Sequence, residues 1–105
     1  MNKIPISRPN LGKLEKSNSF DAINSSWISS SGSYVKKFEN QFSKFNGTKF
    51  SISVSNGSVA LILALKALKI SRGDEVIVPD LTFVASINSI IHAGATPVIA
   101  NVNLS

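Results

Sequence analysis

With 105 residues, 43% of them hydrophobic, and a net charge of +5, the chain is long enough for one globular core or for a piece of a larger domain. It has no cysteine and a single histidine, His92, which excludes disulfides, thiolate metal sites, cysteine nucleophiles and a histidine metal cluster. The positive excess lies in residues 1–50, where eight Lys or Arg stand against Glu15, Asp21 and Glu39; residues 51–105 balance. These lysines are scattered, without a dense run or interleaved aromatics, so they are expected on solvated helix faces rather than on nucleic acid.

In chain order, residues 1–12 are punctuated by Pro5, Pro9 and Gly12 and read as irregular. They lack the apolar core of a signal peptide, and the longest apolar run, Val59 to Leu65, is too short to cross a bilayer, so no membrane contact and a cytoplasmic location are expected. Leu14, Phe20 and Ile23 give a weak helical pattern over 14–24. Trp27 follows in a serine-rich loop that ends at Gly32; a Trp there is expected as an anchor against the core, with a ligand-touching surface as the other reading. Val35, Phe38, Phe42 and Phe45 recur at helical spacing over about 33–45, and Asn46-Gly47 closes that helix. This aromatic stripe is expected to be core packing.

Phe50, Ile52 and Val54 alternate with serines as a strand does. After the turn Ser55-Asn56-Gly57-Ser58, residues 59–69 predict a helix that is apolar on nearly every side and therefore buried on most faces. Ser71-Arg72-Gly73-Asp74 reads as a turn. Val76-Ile77-Val78 predicts a short strand covered on both faces. The loop Pro79-Asp80-Leu81-Thr82 leads to a helix capped by Thr82 and ended by Gly94, and residues 97–102 give a third strand. Strand, helix, strand, helix, strand with short links argues for a parallel βαβαβ arrangement, in which ligands gather at the carboxyl ends of the strands.

On that edge two features carry chemistry. The first amides of a helix have no intrahelical partner, so Gly57 and Ser58 can bind an anion, with the Ser58 hydroxyl as a further donor; Ser and Asn there also serve as an ordinary helix cap. Phe83, in the next loop, can cover a flat ring or simply pack its helix. Phosphate plus a flat ring suits a nucleotide or pyridoxal phosphate. Neither a dinucleotide glycine fingerprint nor a Gly-Lys-Ser/Thr phosphate loop is present, which disfavours NAD and ATP.

Taken together, several short pieces resemble the N-terminal part of the DegT/DnrJ/EryC1/StrS family of pyridoxal-phosphate-dependent nucleotide-sugar aminotransferases, in particular its perosamine synthetase-like branch. They are Ile4-Pro5 with Arg8-Pro9, Ser26-Trp27-Ile28-Ser29-Ser30 with Gly32, Val35 with Phe38-Glu39, Ser55 to Leu61, Gly73 to Pro79, Thr82-Phe83 and Gly94 to Val98. The resemblance implies the N-terminal part of a fold type I, aspartate aminotransferase-like large domain. A helical segment over 1–48 would precede a partial cofactor-binding domain over 49–105. It implies that Asn56, Gly57 and Ser58 bind the cofactor phosphate, that Phe83 stacks on the pyridine ring, and that Trp27 lies near the sugar nucleotide. The implied partners are a nucleotide-linked keto-sugar, glutamate as amino donor, and a second copy in a homodimer. The implied activity is amination of a deoxysugar for surface polysaccharide.

Departures accompany the likeness. Ser58 stands where the family usually has threonine, Ser26 and Lys69 where glycine is common, and Asn101 and Asn103 where aspartates are usual. The family's cofactor-anchoring lysine has no counterpart in matching context here, so no catalytic residue is assigned. The chain is expected to be an N-terminal fragment, inactive and poorly stable by itself. The alternatives are an inactive remnant, a sugar dehydratase of the same family, and a nucleotide-binding half-domain of another α/β protein.

Overall fold

A computed structural model describes Ile4 and residues 7–103. It divides the chain into two compact units, Met1–Ser53 and Val54–Ser105. Of the irregular start expected over 1–12, residues 7–12 lack regular structure, and Pro5 lies outside the described residues.

The first unit holds helices α1 (Lys13–Asn24) and α2 (Ser33–Asn46). The Tyr34 hydroxyl, at the start of α2, donates to Asp21 Oδ2 of α1 at 2.9 Å. Helix α2 ends as its sequence predicts: Gly47 takes the left-handed conformation, and the Gly47 and Thr48 amides bond back to Lys44 and Ser43. Two expectations fail here. Of the stripe Val35, Phe38, Phe42 and Phe45, Val35 is half-buried and the three rings are exposed, not core, because among the described residues no other element of this unit covers them; Phe38 and Phe42 pair with each other, their ring centroids 5.5 Å apart. Residues 50–54 form no strand, since no neighbouring strand pairs with them among the described residues. Ser51 and Ser53 bond instead to Glu39 of α2.

The second unit contains α3 (Gly57–Ala67), β1 (Glu75–Pro79), α4 (Val84–Ala93) and β2 (Thr96–Ala100). Strands β1 and β2 pair in parallel, Glu75 opposite Thr96 through Pro79 opposite Ala100, so β1, α4 and β2 form one crossover unit. The expected sheet of three parallel strands is thus present as two. Its core is small. Val78 of β1 (3% exposed), Ile90 of α4 (4%) and Ala95 form its centre, and Leu65, Ile70, Val76 and Ile87 pack around them.

The two helix ends of this unit feed that core by the same device. After α3 the Lys69 amide bonds to the Lys66 carbonyl and the Ile70 amide to Leu65; after α4 the Gly94 amide bonds to Ile91 and the Ala95 amide to Ile90. Each is a Schellman closure, whose left-handed residue turns the chain so that the next apolar side chain falls against the last helical turn. Gly94 carries the turn at φ 94° and Lys69 at φ 62°.

Three further expectations are corrected. Strand β1 is covered on one face only, with Val78 buried and Ile77 75% exposed, because α4 packs on a single side of the sheet. Helix α3 has no buried residue, since α4 is its one substantial helical contact. Thr82 does not cap α4: the cap position is Phe83, and the Thr82 hydroxyl lies 3.2 Å from that of Ser86.

Candidate cofactor site

The start of α3 is built by its own sequence. Asn56 adopts an extended backbone (φ −165°, ψ 170°), and its Oδ1 accepts from the Val59 amide at 3.0 Å. Its carbonyl accepts from the Ala60 amide at 3.1 Å. Asn56 Nδ2 donates to Ser55 Oγ at 3.3 Å. The third and fourth amides of the helix start are therefore satisfied within the turn. Those of Gly57 and Ser58, the first two, have no acceptor available inside the helix. Gly57 is exposed, and a Cβ placed on it would meet no atom within 4 Å; Ser58 is half-buried. Two free amides at the positive end of a helix, beside the Ser58 hydroxyl, are a donor set that fits a phosphate.

Phe83 is 85% exposed and leaves the carboxyl edge of the sheet just after β1. With Leu81 and Thr82 it lines a shallow recess of about 430 Å³. Its exposure removes the reading of Phe83 as mere helix packing. The expectation that this loop and the Ser55–Ser58 turn share one sheet edge rested on three paired strands. With two paired, the phosphate turn is linked to the loop through the packing of α3 on α4.

Trp27 belongs to the first unit. It is 60% exposed, so the anchor reading fails and the indole is an available surface. It lines a recess of about 340 Å³ with Ser25, Ser31, Ser33 and Lys36. The loop that presents it is held by its own backbone. Gly32 is buried, its amide donates to the Ser29 carbonyl at 3.1 Å, and a Cβ there would stand 2.8 Å from the Trp27 carbonyl oxygen. Only glycine closes the loop this tightly. A wider groove of about 670 Å³, lined by Arg8, Pro9, Asn10, Leu11 and Lys16, carries two cations but none of the predicted site residues.

Sequence reasoning missed two local tethers, one in each unit. Ser55 tethers the Asn56 side chain, and Glu39 accepts the Ser53 amide and hydroxyl. The Phe38-Glu39 pair was visible in the sequence, but only the folded backbone shows what Glu39 holds. Among the described residues no cluster of three or more His, Cys, Asp or Glu can hold a metal, and no helix is long and apolar enough to cross a membrane.

The family model of the DegT/DnrJ/EryC1/StrS aminotransferase family matches residues 9–105. The chain is 52% identical over 98 residues to the GDP-perosamine synthase of Escherichia coli O157:H7, covering 93% of this chain and 27% of that protein. Among solved structures it resembles the aminotransferase from Psychrobacter cryohalolentis at a TM-score of 0.80 and 38% identity, covering 94% of this chain and 26% of the other. It also resembles the E. coli GDP-4-keto-6-deoxy-D-mannose-3-dehydratase with bound hydrated PLP, at a TM-score of 0.76 and 28% identity, covering all of this chain and 28% of the other. The chain spans about a quarter of the length of the relatives it matches.

Proposed function

The chain belongs to the DegT/DnrJ/EryC1/StrS aminotransferase family, and from that premise we propose that it forms the phosphate-binding part of a pyridoxal-phosphate-dependent enzyme that aminates a nucleotide-linked keto-sugar. The observation that carries this reading is the start of α3, where the Gly57 and Ser58 amides have no acceptor inside the helix and Gly57 is exposed beside the Ser58 hydroxyl. Those groups hold the cofactor phosphate, and the exposed ring of Phe83 covers the pyridine. When bound, pyridoxal phosphate supplies the electron-withdrawing ring through which an amino group is carried between substrates. Glutamate is the donor. The relatives named GDP-perosamine synthase favour a GDP-linked deoxysugar destined for a surface polysaccharide. The exposed indole of Trp27, beside serine hydroxyls and Lys36, suits a sugar nucleotide. The working assembly is a homodimer in the cytoplasm.

A chimera tests the proposal. Residues 1–102 replace the matching part of the E. coli GDP-perosamine synthase. The expected result is glutamate-dependent amination of the GDP-linked 4-keto-sugar, reduced at least tenfold by Ser58→Ala. A chimera that folds and binds pyridoxal phosphate but forms no amino sugar overturns the proposed activity.

A second reading is favoured by one finding. The dehydratase from E. coli matches the whole chain at a TM-score of 0.76. In that case the same phosphate site serves removal of a sugar hydroxyl, and the chimera built on the dehydratase is the active one. An inactive remnant is the third outcome: neither chimera binds the cofactor.

A further inference from the structure

Asn56 was expected to touch the phosphate along with Gly57 and Ser58; in the structure its side chain bonds within the turn, leaving one Nδ2 hydrogen without a partner there. Oδ1 is occupied by the Val59 amide at 3.0 Å and Nδ2 donates to Ser55 Oγ at 3.3 Å. Resting on the phosphate-site reading above, we propose that Asn56 is a positioning residue and not a phosphate contact: capped onto Val59 and tethered to Ser55, it fixes the first turn of α3 so that the Gly57 and Ser58 amides, with the Ser58 hydroxyl, are presented to the anion. The physical argument is one of counting donors. An uncapped helix start leaves three amides seeking water, and the first turn frays. With Val59 satisfied by the side chain and Ala60 by the Asn56 carbonyl, the two remaining donors keep fixed directions before any ligand arrives. A site whose donors are already in place binds its anion without the ordering cost that a frayed turn incurs.

The role makes a prediction that a direct contact does not. A serine or threonine at this position caps the helix through its hydroxyl but has no amide donor. The experiment measures the affinity of the chimera with the E. coli GDP-perosamine synthase, the parent chain here, for pyridoxal phosphate and for pyridoxal, which lacks the phosphate, with thermal unfolding alongside. Asn56→Ala is expected to weaken pyridoxal phosphate about tenfold and leave pyridoxal unchanged. Asn56→Ser and Asn56→Thr are expected to stay within about twofold of the parent chain for both. If Asn56→Ala does not fold, Asn56→Gln, which keeps the amide but is not among the good helix caps, carries the same expectation. Asn56→Ser as weak as Asn56→Ala means that the amide itself touches phosphate, and the role is wrong. A lowered unfolding temperature with unchanged preference for pyridoxal phosphate means that the cap is structural only, and again the role is wrong. Equal binding of the two compounds by the parent chain overturns the phosphate site itself, a failure distinct from that of Asn56.

Discussion

Glu39 Oε1 accepts hydrogen bonds from both the backbone amide and the hydroxyl of Ser53, each at 2.8 Å, and so fastens the segment after α2 to the helix it has just left. The Ser51 hydroxyl adds a bond to the Glu39 carbonyl. One carboxylate thus replaces, for this segment, the ladder that a neighbouring strand would supply.

That arrangement gives the first unit a pH dependence. The Ser53 amide, and after it the Ser53 hydroxyl, hold the Glu39 carboxyl below its ordinary value of 4.5, with a smaller opposing effect of desolvation. A lowered folded value means that the stabilisation is complete above 4.5 and is lost as pH falls below it toward the folded value. Thermal unfolding followed from pH 7 to pH 3 is expected to show this loss in the parent chain. Glu39→Gln is expected to flatten it, while the bonds to Ser53 persist through the amide oxygen. An unchanged acid slope in Glu39→Gln counts against the assignment.

At the alkaline end the sign reverses. The hydrogen bond from Tyr34 to Asp21, then burial and the Asp21 charge, raise the phenol above its ordinary value of 10.0. Its stabilisation is therefore present below pH 10 and disappears as pH rises through the folded value. Tyr34→Phe is expected to remove that alkaline loss, read from unfolding temperatures between pH 8 and pH 11.

The two Schellman turns of the second unit predict opposite effects of glycine exchange. Lys69 holds a left-handed φ of 62°, a conformation that costs a side-chain-bearing residue about 1 kcal/mol. Lys69→Gly is expected to stabilise by about 0.5 kcal/mol after the entropic cost of glycine, a rise of a few degrees in unfolding temperature. Gly94→Ala is expected to destabilise by about 1–2 kcal/mol, because φ is 94° and the new Cβ would lie 3.4 Å from the Arg72 nitrogen. Denaturant melts of the three chains decide it, and a neutral Gly94→Ala refutes the turn assignment.

Within β1, neighbouring residues on opposite faces separate cleanly. Val78→Ala removes buried methyls from the middle of the core and is expected to cost about 2 kcal/mol. Ile77→Ala, one residue away on the uncovered face, is expected to change stability by no more than about 0.5 kcal/mol. Equal costs would mean that something covers the Ile77 face in solution.

Phe83 separates binding from folding. Since the ring is 85% exposed, Phe83→Ala is expected to leave the unfolding temperature nearly unchanged. Loss of a stacked ring, about 1–1.5 kcal/mol, corresponds to roughly tenfold weaker pyridoxal phosphate binding. Retained affinity would show that the ring does not cover the cofactor.

The helices and their punctuation were legible in the sequence because they follow from local chemistry. Helical spacing and Asn46-Gly47 bounded α2, Gly94 ended α4, and the Ser55–Ser58 turn marked the start of α3 within two residues. The positions where the chain departs from the family's usual glycines, Ser26 and Lys69, are among the described residues the non-glycine ones with positive φ, at 61° and 62°. What no local signal contained was coverage. Alternation at 50–54 announces a strand, but a strand exists only against a neighbour, and here Glu39 takes that place. Apolar character along α2, α3 and Ile77 announces burial, but burial depends on which elements meet, and those faces stay open while Val78 and Ile90 close. Sequence thus determined where the chain turns and where helices α2, α3 and α4 run, since those depend on each residue and its near neighbours. The tertiary structure alone decided which apolar faces are core, which carboxylate holds a backbone amide, and that Asn56 spends its side chain on Val59 and Ser55, because those are facts about contacts the folded backbone creates.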